Sequence, residues 1–330
     1  MARQLAERFE IQHWFADVGE LLRTVMPEVV HITTPPQSHL ELGTICLESG
    51  SNVYIEKPFT VTAAEAHSLV ELAQRRNLKV TAGHNYQFTA EMLEMRRLVS
   101  SGFLGGAPVH LESYWSYALS DVSYAGPLLG NSNHWVRQLP GQLLHNIISH
   151  GIARLAEFLD DEIQELTASA HQSSRLKALG ERDLRDELRV MLRDRNNTTG
   201  TFCFSTQIRP GLNQFRIHGP ENSMDVDVAH GTLIARRGRS YKSYLTYLVP
   251  PWQQRRAYAS AATRNAVEIL RGRLHQDFGM KTLIERFYAS LRIDAPPPIP
   301  YREIVLTASI MDDIFARIRG ATNGVCIEPR

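Results

Sequence analysis

The feature that most constrains the fold is a repeated pattern between Val29 and Gly102, in which a short apolar run is followed by a turn and a helical stretch. The runs and helical stretches are, in chain order, 29–32, 37–49, 53–55, 62–77, 78–82 and 89–101. Short apolar runs that alternate with helices of this length are typical of parallel sheets. The pattern therefore predicts an α/β domain over residues 1–105, with half of a doubly wound sheet.

A different pattern begins after Gly105-Gly106 and predicts a second domain over residues 106–330. A chain of 330 residues exceeds what one core usually supports, which also favours two domains. The spacing predicts one long helix over 141–159 and further helices within 254–290 and over 301–319. Strand-like runs separated by turn residues are at 108–117, 163–172, 187–195, 198–208, 213–218, 223–228 and 232–237. This order predicts an α+β domain with a large, mostly antiparallel open sheet arranged as a meander.

Composition and charge exclude several classes of protein. Hydrophobic residues make up 43% and charged residues 22% of the chain, as in an ordinary soluble globular protein, and the formal net charge is +1. This balance favours neither a nucleic-acid partner nor an anionic membrane, and no apolar run reaches the roughly 18 residues of a membrane span. The N-terminus has no secretory pattern, and the three cysteines, Cys46, Cys203 and Cys326, have no metal-ligand spacing. We therefore expect a cytoplasmic protein without a metal site or a membrane partner.

Three short motifs follow the predicted strands of the first domain. They are T-P-P-x-x-H from Thr34 to His39, Glu56-Lys57-Pro58, and Gly83-His84-Asn85. In this order they resemble the Gfo/Idh/MocA oxidoreductases, a family named for glucose–fructose oxidoreductase, inositol dehydrogenase and a rhizopine catabolism protein. The resemblance extends from Leu5 to the last predicted helix and implies a Rossmann-type parallel sheet domain joined to an open-sheet domain. It also implies hydride transfer between NAD or NADP and a carbinol of a sugar, a sugar derivative or a cyclitol.

The chain departs from the family pattern at the phosphate-binding turn. A dinucleotide-binding domain opens with a strand, a G-x-G turn and a helix, yet no two of the 21 glycines here are spaced as G-x-G. We therefore expect the first βαβ unit, of about 30 residues, to be missing, so that the Rossmann-type domain is N-terminally truncated. Two explanations are open, a naturally short protein and a start codon placed too far downstream, and we favour the second because half a sheet buries little surface. Residues 1–330 alone are expected to bind a dinucleotide weakly, since the turn that takes the pyrophosphate is absent.

Lys57 is the first catalytic candidate, because the resemblance implies that it lies beside the nicotinamide and the substrate hydroxyl. A lysine at the carboxyl end of a strand can hydrogen-bond an oxygen as it gains negative charge, and partial burial would lower its pKa and let it share in proton transfer. A solvated lysine paired with Glu56 is the alternative. X–Pro bonds tolerate the cis form, which fits a rigid Lys57–Pro58 turn. The resemblance implies a cofactor-binding set of Thr34, Pro35, His39, Glu56, Lys57, Pro58 and Asn85.

The predicted helix 141–159 carries the second catalytic group that the resemblance implies. The family helix has aspartate and histidine four residues apart on one face, and these positions are Asn146 and His150 here. His150 suits general acid/base chemistry because an unperturbed imidazole has a pKa near neutrality, with a satisfied core histidine as the alternative. Asn146 can hydrogen-bond a substrate hydroxyl or orient His150, yet it cannot serve as a base.

Further substrate contacts are predicted near the start of this helix. The candidates are His145, Trp135 and Arg137, because aromatic platforms and guanidinium groups suit sugars and acidic groups. Packing of the loop 131–141 is the open alternative for Trp135 and Arg137. Gln87 stands where many relatives have arginine, which indicates a different substrate group.

The leading interpretation is an NAD(P)-dependent oxidoreductase with a small sugar-like substrate. Two alternatives stay open: an NAD-dependent glycoside-cleaving enzyme, as in some relatives, and a non-catalytic binding protein that has lost its cofactor site. The run TGTFCFSTQI alternates apolar and polar residues, so that one face of the second sheet is expected to meet another subunit. We therefore expect a homodimer or a homotetramer.

Overall fold

A computed structural model describes residues 2–119, 128–272 and 279–323. The chain divides into two compact units, residues 1–83 with 286–308, and residues 84–285 with 309–330. These units differ from the predicted division into 1–105 and 106–330, because 84–105 pack with the second unit and a late segment packs with the first. Cys46 is buried and, like Cys203, is a free thiol, whereas Cys326 lies outside the described residues.

The first unit is built on a parallel sheet, as the sequence predicts. Its strands are β1 Val29–Ile32, β2 Asn52–Ile55 and β3 Val80–Ala82, in the spatial order β1-β2-β3. A short 3₁₀ turn, Pro36–Ser38, follows β1 and leads into a helix. The helices are α1 Ala2–Arg8, α2 Val18–Val25, α3 His39–Glu48 and α4 Ala63–Arg75.

The predicted start of α4 is confirmed in its hydrogen bonds. Thr62 is the N-cap, and its side chain accepts a hydrogen bond from the backbone N–H of Glu65 at 3.3 Å. The carboxylate of Glu65 accepts in return from the N–H of Val61 at 3.0 Å. The first bond satisfies a donor that a helix start leaves unpaired, and the second holds the residue before the cap, so that α4 begins where the sequence predicts it.

A segment that is distant in sequence completes the first unit. Lys79, just before β3, donates from Nζ to the carbonyl oxygen of Ser290 at 2.9 Å and to Asp294 Oδ1 at 2.8 Å. Tyr301 Oη accepts from the backbone N–H of Val80 at 3.3 Å. Local sequence patterns cannot predict such contacts, because they join residues more than 200 positions apart.

The second unit contains a seven-stranded sheet in the order β10-β9-β8-β4-β7-β6-β5. The prediction of a mostly antiparallel sheet is confirmed, because only the β4–β7 pair is parallel among the described pairs. The predicted simple meander is wrong in one place, where β4 is inserted between β7 and β8. The strands are β4 His110–Ser116, β5 Ile163–His171, β6 Glu187–Asp194, β7 Thr199–Ser205, β8 Asn213–His218, β9 Asn222–Asp227 and β10 Thr232–Arg237.

Helices and two short 3₁₀ turns complete the described chain. The 3₁₀ turns are Asn85–Phe88 and Trp135–Gln138. The helices are α5 Ala90–Ser100, α6 Gln142–Ala156, α7 Ser174–Ala178, α8 Leu245–Leu270, α9 Met280–Arg292 and α10 Tyr301–Asn323. Helix α8 begins before its predicted range. The prediction began after Pro250 and Pro251, because prolines usually end a helix, whereas the observed helix includes both. Of the helices in the described ranges, none combines the length and apolar character that a membrane span requires.

Helix α6 packs against the large sheet, and every residue from Leu143 to Ala156 is buried. Its Gly151 allows this close approach, since a Cβ atom there would lie 2.2 Å from Cε2 of Phe202 on β7. The burial of β4 and β7 alternates along each strand, with the less buried residues on the opposite sheet face. The helix that carries the predicted catalytic residues is therefore held rigidly on one face of the sheet.

Candidate functional site

The three motifs begin at the carboxyl ends of the parallel strands of the first unit. Thr34 follows β1, Glu56 and Lys57 follow β2, and Gly83 follows β3. Because parallel strands end at the same edge of a sheet, the fold collects these residues at one edge. This is the edge at which open α/β sheets bind their ligands.

His39 is a buried side chain that links the turn after β1 with the turn after β2. Its Nε2 lies 2.8 Å from the carbonyl oxygen of Thr34, and its Nδ1 lies 3.1 Å from the carbonyl oxygens of both Pro58 and Phe59. The side chain is fully buried. Protein carbonyls thus lie at both ring nitrogens, so that His39 links the turns that carry Thr34 and Pro58, and its contact with a cofactor stays a prediction.

Lys57 is half-buried directly after β2, and its peptide bond to Pro58 is cis. Burial lowers the pKa of the Lys57 ammonium, and the carboxylate of Glu56 opposes this shift. Glu56 Oε2 also accepts a hydrogen bond from the backbone N–H of Lys57 at 3.0 Å, and Tyr54 Oη donates to Glu56 Oε1 at 3.5 Å. Lys57 is therefore a partly desolvated cation with a nearby carboxylate, and this environment differs from that of an ordinary surface lysine.

Gly83 is required where β3 ends because the chain passes close to Glu56. A Cβ atom at Gly83 would lie 3.0 Å from Tyr54 Oη, 3.1 Å from Glu56 Oε2 and 3.2 Å from Glu56 Cα. The last contact is with backbone, which cannot move away easily. Burial and the neighbouring Glu56 carboxylate raise the pKa of Tyr54, so that this phenol remains a hydrogen-bond donor.

The donors and acceptors at this edge fit the nicotinamide half of a dinucleotide. Thr34 is exposed, and its Oγ1 lies 2.7 Å from the hydroxyl of Ser38. These hydroxyls, together with the Glu56 carboxylate and the Lys57 ammonium, are groups that can hydrogen-bond a ribose and a carboxamide. Within residues 1–330 the sequence contains no G-x-G turn.

In the second unit, His150 belongs to an aromatic cluster that we define as Tyr86, Trp115 and His150. The imidazole stacks on Trp115 with ring centroids 5.3 Å apart and meets Tyr86 edge-on at 4.7 Å. Tyr86 and Trp115 meet edge-on at 4.5 Å. His150 is 9% exposed, and Asn146, one turn earlier on α6, is 5% exposed. His150 is therefore packed within the aromatic cluster, and Asn146 is buried one turn away on the same helix.

Arg154, one further turn along α6, is a fully buried cation behind this cluster. Its guanidinium donates to Asn213 Oδ1 at 2.9 Å and to Ser113 Oγ at 3.3 Å. Its Cζ lies 5.2 Å from the ring centroid of Trp115. Burial lowers the pKa of Arg154 to about 10, although its interaction with Tyr86 opposes this shift.

Sequence reasoning missed Tyr86, Trp115 and Arg154 as members of the site. One signal was available for Arg154, which is four residues after His150 in the otherwise apolar run GIARLA. A charged residue on the buried face of a helix is uncommon and indicates a specific role. For Trp115 and Tyr86 there was no local signal, because aromatic residues are ordinary core residues.

Two of the predicted substrate contacts are engaged by the protein itself. Arg137 forms a half-buried ion pair with Glu181 and donates from Nη2 to the carbonyl oxygen of Leu128 at 3.0 Å. His145 is 1% exposed and stacks on Phe315 with ring centroids 5.0 Å apart. These contacts favour packing over the predicted substrate contacts for both residues.

Trp135, a predicted substrate contact, and Asn85, a predicted cofactor contact, differ in burial. Trp135 is half-buried and stacks on His134 at 5.6 Å, so it keeps an accessible side. Asn85 is buried in the 3₁₀ turn Asn85–Phe88. The neighbouring Gln87 is also buried and donates to Glu157 Oε2 at 3.1 Å, which indicates a role in holding this turn against α6.

Two family models match the chain, one over its first 84 residues and one within the second unit. Residues 1–84 match a model described as an oxidoreductase family with an NAD-binding Rossmann fold, and residues 92–225 match the Gfo/Idh/MocA C-terminal domain. The chain belongs to the Gfo/Idh/MocA family. The predicted family and fold class are thereby confirmed, and a nicotinamide dinucleotide is the cofactor of this kind of domain, as the sequence predicts.

Known relatives match the chain over a limited stretch. Oxidoreductase P35 of Formosa agariphila is 34% identical over 100 residues, which are 30% of this chain and 31% of that protein. The scyllo-inositol 2-dehydrogenase (NADP(+)) IolW of Bacillus subtilis is 32% identical over 101 residues, which are 31% of this chain and 28% of that protein. The matched stretch thus spans less than a third of the length of these relatives.

Solved structures share the fold over most of the chain. The WlbA dehydrogenase of Bordetella pertussis, in complex with NADH and UDP-GlcNAcA, superposes with a TM-score of 0.74. The match covers 96% of this chain and 85% of that one, at 15% sequence identity. At this identity the similarity shows a common fold.

Proposed function

We propose that this Gfo/Idh/MocA protein is an NAD(P)-dependent oxidoreductase that moves a hydride between a nicotinamide and a carbinol of a sugar, sugar derivative or cyclitol. The observation that carries the proposal is Lys57, a half-buried lysine after a parallel strand whose pKa is lowered by burial. Such a lysine is suited to bind a carbinol oxygen and to share its proton. The relative IolW, a scyllo-inositol dehydrogenase, supports the proposed substrate class.

The residues of the first unit would bind the nicotinamide half and the reacting oxygen. The dinucleotide supplies the hydride acceptor or donor. Thr34 and Glu56 would hydrogen-bond its polar groups, while Pro35 and Pro58 shape the turns around it. Lys57 Nζ would donate a hydrogen bond to the carbinol oxygen and stabilise the negative charge that develops there. Glu56, which is bonded to the backbone N–H of Lys57, would hold that lysine in place.

Two residues of helix α6 carry proposed roles of their own. His150 is the proposed general acid/base, because an imidazole can accept and return a proton. Asn146 would hydrogen-bond a neighbouring hydroxyl, because an amide offers both a donor and an acceptor. Asn85 stays a proposed contact of the cofactor, and Trp135 a proposed contact of the sugar ring.

Net reduction of the dinucleotide tests the proposal directly. The protein is supplied with NAD⁺ or NADP⁺ and with free polyols, cyclitols and nucleotide sugars, and the absorbance of the reduced nicotinamide is followed. Formation of NADH or NADPH that depends on one substrate class is the expected result. Release of a leaving group from a glycoside without net NADH would support the glycoside-cleaving alternative instead. Absence of both reactions with saturating dinucleotide would contradict the proposal.

A further inference from the structure

Helix α8 exposes large apolar side chains along most of its length. Among its described residues, Ala261 is the buried one. At about 100° per residue, the exposed apolar positions lie within about 140° of the helix circumference and form one face. We call this the apolar face of α8, and it consists of Tyr247, Leu248, Trp252, Tyr258, Ile269 and Leu270, which are between 52% and 87% exposed.

The helix is attached to the edge of the large sheet. It packs on the edge strand β10. Arg264 Nη2 donates to the carbonyl oxygen of Gly231 and Asn265 Nδ2 to that of His230, each at 3.0 Å. The turn between β9 and β10 thus anchors α8. An apolar face that is anchored and yet exposed is typical of an interaction site.

The chain around this face is strongly basic. Between Asp227 and Glu268 it contains no acidic residue and seven basic ones, all exposed, which are Arg236, Arg237, Arg239, Lys242, Arg255, Arg256 and Arg264. Arg236 pairs with Asp225 and Arg264 holds the helix to the sheet, which leaves five without an ion pair in the described structure. The net charge of +1 for the whole chain conceals this local excess of positive charge.

Basic and aromatic side chains are interleaved on the helix itself. The guanidinium carbon of Arg255 lies 4.7 Å from the ring centroid of Trp252, one turn earlier. Arg255 therefore lies within the arc of the apolar face, and its neighbour Arg256 lies just outside it. A partner of this surface must accept apolar side chains and positive charge side by side.

We propose that the apolar face of α8 docks on the surface of an anionic phospholipid bilayer. Tryptophan and tyrosine side chains favour the headgroup level of a bilayer, because each combines an apolar ring with a polar atom. Leu248, Ile269 and Leu270 would be buried at the boundary with the acyl chains, and the arginines would meet the negative headgroups. Docking of this kind needs no membrane-spanning helix, and it is independent of the proposed oxidoreductase function.

Charge and side-chain type disfavour two other partners. A two-fold contact between copies through this face would place the arginines of one copy against those of the other, and like charges oppose it. Single-stranded nucleic acid would suit the basic and aromatic side chains. It offers no apolar layer for Leu248, Ile269 and Leu270, whereas a bilayer does.

Co-sedimentation with vesicles measures docking directly. The full chain is mixed with vesicles of phosphatidylcholine alone, or of equal amounts of phosphatidylcholine and phosphatidylserine. We expect binding to the mixed vesicles, little binding to the neutral ones, and release as salt is raised. The double variant R255Q, R256Q should bind about 30-fold more weakly, at roughly fivefold for each charge near the surface. The control is R75Q, R76Q, another pair of adjacent exposed arginines, which should bind as the wild type does.

Tryptophan fluorescence tests which surface meets the bilayer. Trp252 is 56% exposed, so its emission should shift to shorter wavelength when it enters the headgroup layer. W252F should lose this shift. W14F, which removes a tryptophan that is 50% exposed in the first unit, should keep it. A shift that persists in W252F would overturn α8 as the docking surface.

The remaining outcomes identify another partner or none. Equal binding to neutral and anionic vesicles would overturn the anionic lipid, and no binding to either would overturn the docking. Tight binding of a labelled single-stranded RNA without vesicle binding would assign the face to nucleic acid. An oligomer in light scattering that R255Q, R256Q dissociates, again without vesicle binding, would assign it to a second copy of the chain.

Discussion

At the scale of single residues, two opposing effects determine the state of Lys57. Burial lowers its pKa because the charged ammonium loses water, and the Glu56 carboxylate opposes this shift. Burial dominates, so the ammonium releases a proton more readily than a solvated lysine does. The lysine can therefore act both as a hydrogen-bond donor to an oxyanion and as a participant in proton transfer.

Replacing Lys57 by methionine should separate chemistry from cofactor binding. Lys57→Met keeps the length of the side chain and removes its charge, so turnover should fall about 10²-fold or more, the scale of one acid/base or oxyanion contact. Affinity for the dinucleotide, measured by calorimetric titration, should change far less. Lys242→Met, at an exposed lysine, is the control and should leave turnover unchanged. Near-wild-type turnover of the Lys57 variant would remove this residue from the mechanism.

Substitutions of Asn146 and His150 on α6 should change how the reaction rate depends on pH. His150→Ala should lower turnover and abolish a limb of the pH–rate profile near neutrality, because an imidazole titrates there. Asn146→Asp should leave the fold intact and alter the profile, since a carboxylate then lies one turn from His150. Full pH–rate profiles of both variants and the wild-type protein provide the measurement. Identical profiles in all three would make this helix face part of the core.

At the scale of elements, the packing of α6 on the large sheet depends on the absence of a side chain at Gly151. A Cβ atom there would lie 2.2 Å from Cε2 of Phe202, and the Phe202 side chain is itself buried. Either the helix or the sheet must then move. This contact fixes the distance between the helix that carries His150 and the strands that carry Trp115 and Ser113.

Substitution of Gly151 by alanine should destabilise the protein despite a better helix propensity. Gly→Ala in a helix interior gains about 1 kcal/mol, whereas overpacking a core typically costs 1–3 kcal/mol. We expect a lower thermal midpoint for Gly151→Ala. The control is Gly320→Ala on α10, where no atom lies within 4 Å of the new Cβ and the propensity gain should prevail. A higher midpoint for both variants would show that Phe202 moves away at little cost.

At the scale of the whole molecule, the two faces of the seven-stranded sheet differ in burial. The side chains on the face away from α6 are more exposed than those on the face under α6. Met191 on β6 lies on this open face opposite Thr201, and its side chain is 65% exposed. Its neighbours Val190 and Leu192 on the same strand are buried. We expect this open face, rather than the exposure of one methionine, to be the surface that a second subunit covers.

Assembly should therefore depend on this open face. We predict a homodimer or homotetramer by multi-angle light scattering at micromolar concentration, and a shift toward monomer in Met191→Asp, because a buried unpaired carboxylate opposes association. Met26→Asp is the control, since Met26 is 79% exposed at the end of α2 and outside the sheet. A monomeric wild-type protein would refute the assembly, and equal effects of both substitutions would place the interface elsewhere.

The sequence by itself determined the local elements and their chemistry. Apolar spacing with periods of two and 3.6 residues located the strands and most of the helices, including β1 and α4, because these periods reflect the geometry of each element. It also placed Lys57 at a strand end and put Asn146 and His150 on one helical face. Only the tertiary structure decided the insertion of β4 between β7 and β8, the burial of His39 between two turns, the ion pair of Arg137 and the complete burial of Arg154. Each of these depends on contacts between distant parts of the chain. Local periodicity cannot predict them, because it does not indicate which distant residue a side chain contacts.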